Sequence, residues 1–201
     1  MAYRQQGDDT LQEILKMNIL KSLLIVIVLA VIGVGIFIYS GAYPIGADVP
    51  HGKFEYWLLE TLRDKSIDKS SEGITVPPLD SPELLLAGGP DYNDMCAACH
   101  LKPGKDQSDM SLGLYPSPPN LVTHSEASEH EHGNNEQLAR RQFWVIKHGI
   151  KASGMPAWGP THDDERIWAM VAFLQKLPDL SPDQYQILTA RDADDSMQDS
   201  H

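Results

Sequence analysis

Hydrophobic residues are gathered in one block near the start of the chain. Residues 22–40, SLLIVIVLAVIGVGIFIYS, contain neither charge nor proline. As a helix this stretch spans roughly 28 Å, close to the hydrocarbon thickness of a bilayer. A helix half-buried in a protein core would carry a polar stripe, and this one has none. The pattern predicts a transmembrane helix. Ser40 and Ala42 in YSGA occupy small-residue positions that suit a cleaved signal peptide. The apolar stretch is nevertheless longer than a signal h-region of roughly 7–15 residues, and about twenty residues precede it, so an uncleaved anchor is the expectation.

Beyond the block the pattern changes to short helical periods. KFEYWLLETLRDKSI places Phe54, Trp57, Leu58 and Leu62 on one face of an amphipathic helix. That face is expected to pack on the following domain, with burial of Tyr56 and Trp57 at a lipid interface or on a membrane partner as the competing reading. Residues 66–80 are polar, end in a proline pair and read as a linker. Ser81 and Pro82 form a helix start, Ser as N-cap and Pro at the first position, with Gly88, Gly89 and Pro90 expected to disturb the helix partway. Residues 101–133 lack sustained periodicity and read mostly as loop. A helix is predicted from Asn135, Asn-capped and ended by Gly149. The last helix is predicted from a Thr161/Asp164 capping box to Pro178, burying Ile167, Met170, Val171, Leu174 and Leu177, with Trp168 and Phe173 beside them. The acidic tail beyond Pro182 is expected to fray. The resulting division is 1–21 cytoplasmic tail, 22–40 transmembrane helix, 41–80 juxtamembrane helix and linker, 81–178 an all-α domain, and 179–201 acidic tail.

Charge orients this arrangement. Arg4, Lys16 and Lys21 precede the apolar block and no basic residue follows it until Lys53. Basic flanks stay in the cytoplasm, so residues 41–201 are expected in the periplasm of a bacterium, a single pass through its inner membrane. Three acidic residues cancel the three basic ones in 1–21, so the net charge of −12 belongs to the exported part. Such an acidic domain argues against nucleic-acid binding and favours basic docking surfaces on its partners.

The chemistry is concentrated in MCAACH, which holds both cysteines of the chain, Cys96 and Cys99, with His100 directly behind. A zinc site would need two further ligands, for which His124, His130 and His132 offer no matching spacing. A thioredoxin-type dithiol would follow a βαβ pattern, and none is visible. C-x-x-C-H is the pattern of covalent c-type haem attachment, with two thioether bonds and the adjacent histidine on the iron. An electron-carrying haem takes a second axial ligand, usually a methionine sulfur. Met95 lies too close to the attachment site, Met170 belongs to the buried stripe and Met197 to the tail. Met155 in ASGMPAW, a loop bounded by Gly and Pro, is free to turn toward iron, and Met110 is the second choice. Trp158 beside that loop is expected to shield the iron, whereas Trp144 and Trp168 read as pocket or core aromatics. His148 is an alternative ligand whose ordinary role is a helix-end histidine. The loop His124–His132 could hold copper or zinc but reads more simply as solvated.

Together CAACH, PPNL (118–121), HGIKASGMPAWG (148–159) and DERIWAMVAFLQKL make residues 81–178 resemble a class I cytochrome c domain with one haem. More loosely, the whole chain is similar to bacterial membrane-anchored monohaem cytochromes. The resemblance implies the cytochrome c fold, with Gly88 and Tyr92 on the first helix meeting Phe173 and Met170 on the last. It further implies that the Pro119 carbonyl accepts the Nδ1 hydrogen of His100 and that Leu121 lines the haem. The leading expectation is a tethered carrier passing single electrons from a quinol-oxidising complex or dehydrogenase to a terminal oxidase or other acceptor. Its rivals are a fixed haem-relay subunit of a respiratory or oxidoreductase complex, and a haem peroxidase or gas sensor, which needs an open iron site.

Overall fold

The computed structural model describes residues 2–123 and 135–191, with side chains from Gln12 onward. The chain divides into two compact units, 1–49 and 50–201. The first consists of one helix, α1 (Ala2–Ser40), followed by an exit segment. Its stretch Gln12–Ser40 is long and apolar enough to cross a membrane, and among the described residues it alone is so. The expected span 22–40 is therefore the second half of a longer helix. Gly41, at φ +66°, ends it, and the Ser40 hydroxyl donates to the Phe37 carbonyl at 2.7 Å.

The second unit is all-helical in its described part. Its elements are α2 (Lys53–Ser71), α3 (Pro82–Asp91), a π-helical turn (Tyr92–Cys96), α4 (Ala97–His100), α5 (Asp109–Gly113), α6 (Asn135–His148), α7 (Asp164–Lys176), a 3₁₀ turn (Leu177–Asp179) and α8 (Pro182–Leu188). The organising contact is the crossing of α3 over α7. Gly88 permits it: a Cβ there would lie 2.1 Å from the Ala169 carbonyl oxygen. Gly89 plays the same part against α8, where a Cβ would meet the Leu188 oxygen at 2.2 Å. The two glycines thus leave α3 intact and set its approach to its neighbours, contrary to the expected disturbance. The helix instead widens after Pro90 into the π turn, closed by the Ala97 amide donating to the Tyr92 carbonyl.

Two clusters form the core. Ala139, Phe143 and Ile146 of α6 pack on Ile167, Met170 and Val171 of α7. Tyr92, Phe173, Leu177 and Tyr185 form the second cluster, their three rings 5.4–6.3 Å apart. The stripe expected on the last helix is buried, with Leu174 partly so. A buried carboxylate, Asp91, crosses the same seam and pairs through both oxygens with the Arg166 guanidinium at 2.6 and 2.8 Å, while Arg191 reaches it at 3.3 Å.

Four local expectations change. The N-cap of α7 is Asp163, whose side chain accepts from the Arg166 amide at 2.9 Å; Thr161 donates instead to the Trp158 carbonyl. The segment read as linker is helix up to Ser71, and Ile74, Val76 and Leu79 then lie along the first core cluster, because every second or third side chain there is apolar. The tail does not fray at Pro182. Ser181 and Gln184 close a capping box on α8, which drives Tyr185 into the core. Helix α2 does pack on the domain, but through its polar edge: Asp64 and Asp68 pair with Arg141 of α6, and the apolar face points outward. The residue that would cap α6, the loop His124–His132 and Met197 lie outside the described residues.

Candidate functional site: an apolar cavity between the cysteine pair and the Met155 loop

One cavity of about 270 Å³ opens between the α3–α4 segment, α6, α7 and the loop that follows α6. Cys96, Cys99, His100, Pro119, Leu121, Met155 and Trp158, drawn from three separate stretches of sequence, all line it.

The attachment wall is built by the π turn and α4. The widened turn carries Cys96, and α4 ends at His100 because Leu101 adopts φ +70°. Tyr92 fixes this corner from behind, its hydroxyl donating to the Leu101 carbonyl at 2.7 Å. His100 Nδ1–H donates to the Pro119 carbonyl at 2.9 Å, and the Leu121 amide donates back to the His100 carbonyl at 3.3 Å. The carbonyl can only accept, so the proton sits on Nδ1 and the lone pair on Nε2. Burial pushes the His100 ring below its ordinary pKa, against the opposing pull of the Pro119 carbonyl. The ring is thus held neutral and in one tautomer, the form that binds a metal.

The opposite wall hangs from the end of α6. Gly149, at φ +64°, terminates the helix, and a Cβ there would meet the backbone of Met155, Pro156 and Ala157 at 2.7–2.8 Å. The loop is then fastened mainly by main-chain bonds: Ile150 N–H to the Met155 carbonyl at 3.1 Å, Trp158 N–H to the Ile146 carbonyl at 3.0 Å, and Gly159 N–H to the Lys147 carbonyl at 2.9 Å. Ser153 Oγ accepts from the Met155 amide at 3.1 Å. Met155 is thereby positioned by the loop backbone, and its side chain packs against the first core cluster.

The other sulfurs and imidazoles are placed differently. Met110 is half-exposed on α5 and does not line the cavity; Met170 lines it but is locked in the core; Met95 stands on the attachment wall. His148 is exposed at the end of α6, stacks on Trp144 and lines a separate groove. Trp168 stacks on Phe143 in the core. The sequence reading missed Leu114, Pro116, Val145, Ile150 and Arg141 in the lining. Val145 and Arg141 could have been found from the α6 period, since they share a face with Leu138. Leu114 and Pro116 carry no such signal.

The residues present fit a covalently held haem. The lining is overwhelmingly apolar, the histidine offers one free lone pair, and both cysteines stand on the same wall. The rival chemistries fit less well. Burial, with Asp91 and Cys99 adding to it, pushes a free Cys96 thiol up to about 12, where a redox dithiol or thiolate ligand would need it lowered. Among the described residues no group of three or more His, Cys, Asp or Glu side chains is placed to hold a metal ion.

Residues 84–174 match the family described as cytochrome c oxidase, cbb3-type, subunit III, a match covering somewhat less than half of the chain. No curated protein matches. With the CxxCH wall in place, the chain carries one covalently bound haem c in an all-α, c-type cytochrome domain related to that oxidase subunit family, behind a single helix able to span a membrane.

Proposed function

We propose that this chain is the membrane-tethered haem-relay subunit of a respiratory oxidoreductase complex, passing single electrons on the periplasmic side of a bacterial inner membrane. The observation that carries the reading is the match of residues 84–174 to an oxidase subunit family, in a chain that begins with a membrane-spanning helix. It favours a fixed subunit over a free carrier, because the matched family is one of complex components.

Bound haem c supplies one iron that accepts an electron from a donor and returns it to an acceptor, donor and acceptor each changing by one electron. Cys96 and Cys99 hold the macrocycle edge through thioethers. His100, oriented by Pro119, would hold the iron through Nε2, and Met155 would supply its sulfur as the second protein ligand. With both residues so engaged, the iron would have no open site for oxygen or peroxide, which would set the function apart from that of a peroxidase or gas sensor. Leu114, Leu121, Val145, Ile146 and Trp158 exclude water and stabilise the less charged ferrous state. Residues 81–178 form the haem domain in this reading, with the residues before Ser22 on the cytoplasmic side.

Gentle solubilisation of native membranes followed by sizing tests the assignment. A subunit co-migrates with larger membrane polypeptides and the covalent haem stain travels with them. Migration of the haem-stained chain alone, at all detergent concentrations, assigns it instead to the free-carrier class.

A further inference from the structure

Helix α2 is mounted the unexpected way round. Its inner edge is polar: Asp64 and Asp68 face Arg141, Arg63 pairs with Asp64 at 2.8 Å, and Ile67 and Ser71 are the buried positions. Its outer face carries Phe54, Trp57, Leu58 and Leu62, which remain 47–72% exposed, with Tyr56 and Leu59 half-exposed beside them. The spacing i, i+3, i+4, i+8 makes these four one continuous stripe, and the Phe54 and Trp57 rings lie 5.8 Å apart as one aromatic plate. An exposed apolar stripe of this size on a soluble domain marks a surface that something covers.

We infer that the stripe is covered by the bilayer itself: α2 is an interfacial helix, with Phe54, Trp57, Leu58 and Leu62 at the boundary between headgroups and acyl chains. The inference rests on the reading of α1 as a membrane span. Three observations favour lipid as the occupant. Only residues 41–52 separate the end of α1 at Ser40 from the start of α2 at Lys53. A tether that short keeps α2 within about 40 Å of the membrane surface even when fully extended, so a modest apolar stripe meets the bilayer at high effective concentration. The side-chain chemistry is that of an interfacial helix: Phe54, Trp57, Leu58 and Leu62 form the apolar stripe, and Lys65 and Lys69 continue its line toward the end of α2, long stems that lie along an interface with their ammonium groups among the headgroups. The groove between α2 and α6 takes in only Leu62 of the stripe, and Phe54, Trp57 and Leu58 lie outside it.

The test uses the full haem-loaded chain in phosphatidylcholine/phosphatidylglycerol vesicles whose acyl chains are brominated near the headgroup. Leu58→Cys and Ser70→Cys variants each carry a bimane dye, Ser70 being exposed on the side of α2 away from the stripe and the two native cysteines being closed as thioethers. The expected result is flotation of both variants with the vesicles and bromolipid quenching at position 58 at least about threefold that at position 70. Flotation with equal, weak quenching at the two positions overturns the inference while leaving the anchor intact. Failure to float overturns the anchor reading and the inference with it. A dye at position 58 that is aqueous in pure vesicles yet shielded in native membranes also overturns it, by assigning the stripe to a protein partner.

Discussion

Helices α2 and α7 are both amphipathic, yet they are mounted in opposite senses. In α7 the apolar stripe is inside: Ile167, Val171 and Phe173 have no exposed surface, and Asp163 to Glu165 decorate the start of the helix. In α2 the acidic edge is inside and the aromatic stripe outside. The difference lies in what each helix meets. Helix α7 crosses α3 at Gly88 by close backbone contact and apolar filling, with the Asp91–Arg166 pair as the one charged contact described across the seam. Helix α2 meets Arg141, a cation that reaches out from the cavity lining, and its carboxylates satisfy that charge. Periodicity therefore reports that a helix has two faces, while the charge of its neighbour decides which one turns inward.

The largest effect that would break this comparison is expected at the α7 seam. Phe173→Ala removes a fully buried ring from the Tyr92–Tyr185 cluster and should cost about 3–5 kcal/mol, read by chemical denaturation of the haem-loaded protein. Leu62→Ala on α2 should stay within about 0.5 kcal/mol in the same assay, since its side chain is 65% exposed. Comparable losses at the two positions would mean that the α2 stripe is covered within the domain after all.

Next in size are the two ion pairs that fasten the helices. Arg166→Ala leaves the buried Asp91 carboxylate with Arg191 as its remaining guanidinium, and a loss of about 3 kcal/mol follows. Asp68→Asn at the more open Arg141 contact should cost about 1 kcal/mol or less. Unfolding midpoints of the two variants, measured side by side, check the order.

The smallest effect concerns His162, just before the α7 cap. Burial, and the nearby Arg166 charge, lower its pKa in the folded protein, and its Nε2 is buried without a hydrogen-bond partner among the described residues. The folded state therefore disfavours the proton that the unfolded chain accepts. Its contribution to stability is complete above the ordinary histidine value of about 6.5 and is lost as pH falls through the depressed folded value. His162→Asn should flatten the pH dependence of the unfolding midpoint between about pH 7 and 5; an unchanged slope would remove His162 from that dependence.

Much of the molecule could be read from the chain because short-range rules were sufficient. The apolar block, the Ser81–Pro82 start, the α7 stripe and the CAACH motif each need only neighbouring residues for their interpretation, and the all-α class and covalent haem follow from them. The capping box of α8 was equally legible, as Ser181 and Gln184 three residues apart, but the acidic residues beyond it masked the signal. What stayed hidden depends on distant partners. Gly88 and Gly89 look like helix breakers until Ala169 and Leu188 arrive against them. The outward turn of Phe54 and Trp57 depends on Arg141, far along the chain. The sequence also singled out Met155 by its loop; it could not show that the loop hangs from α6.

That suspension has a consequence for how this protein can change. The bonds that fasten the Met155 loop join main-chain groups of Ile150, Trp158 and Gly159 to those of Met155, Ile146 and Lys147, with Gly149 demanded by close approach. None of them depends on which side chains occupy Lys151, Ala152 or Ala157, all of which are exposed. Substitutions at Lys151 and Ala157, and at Ala152 within what its φ of +56° admits, can alter charge and polarity on the outer side of the loop while the Met155 backbone stays in register. In the proposed haem-relay role the loop is a tuning collar: its outer side chains can be exchanged while the backbone that presents the sulfur is kept.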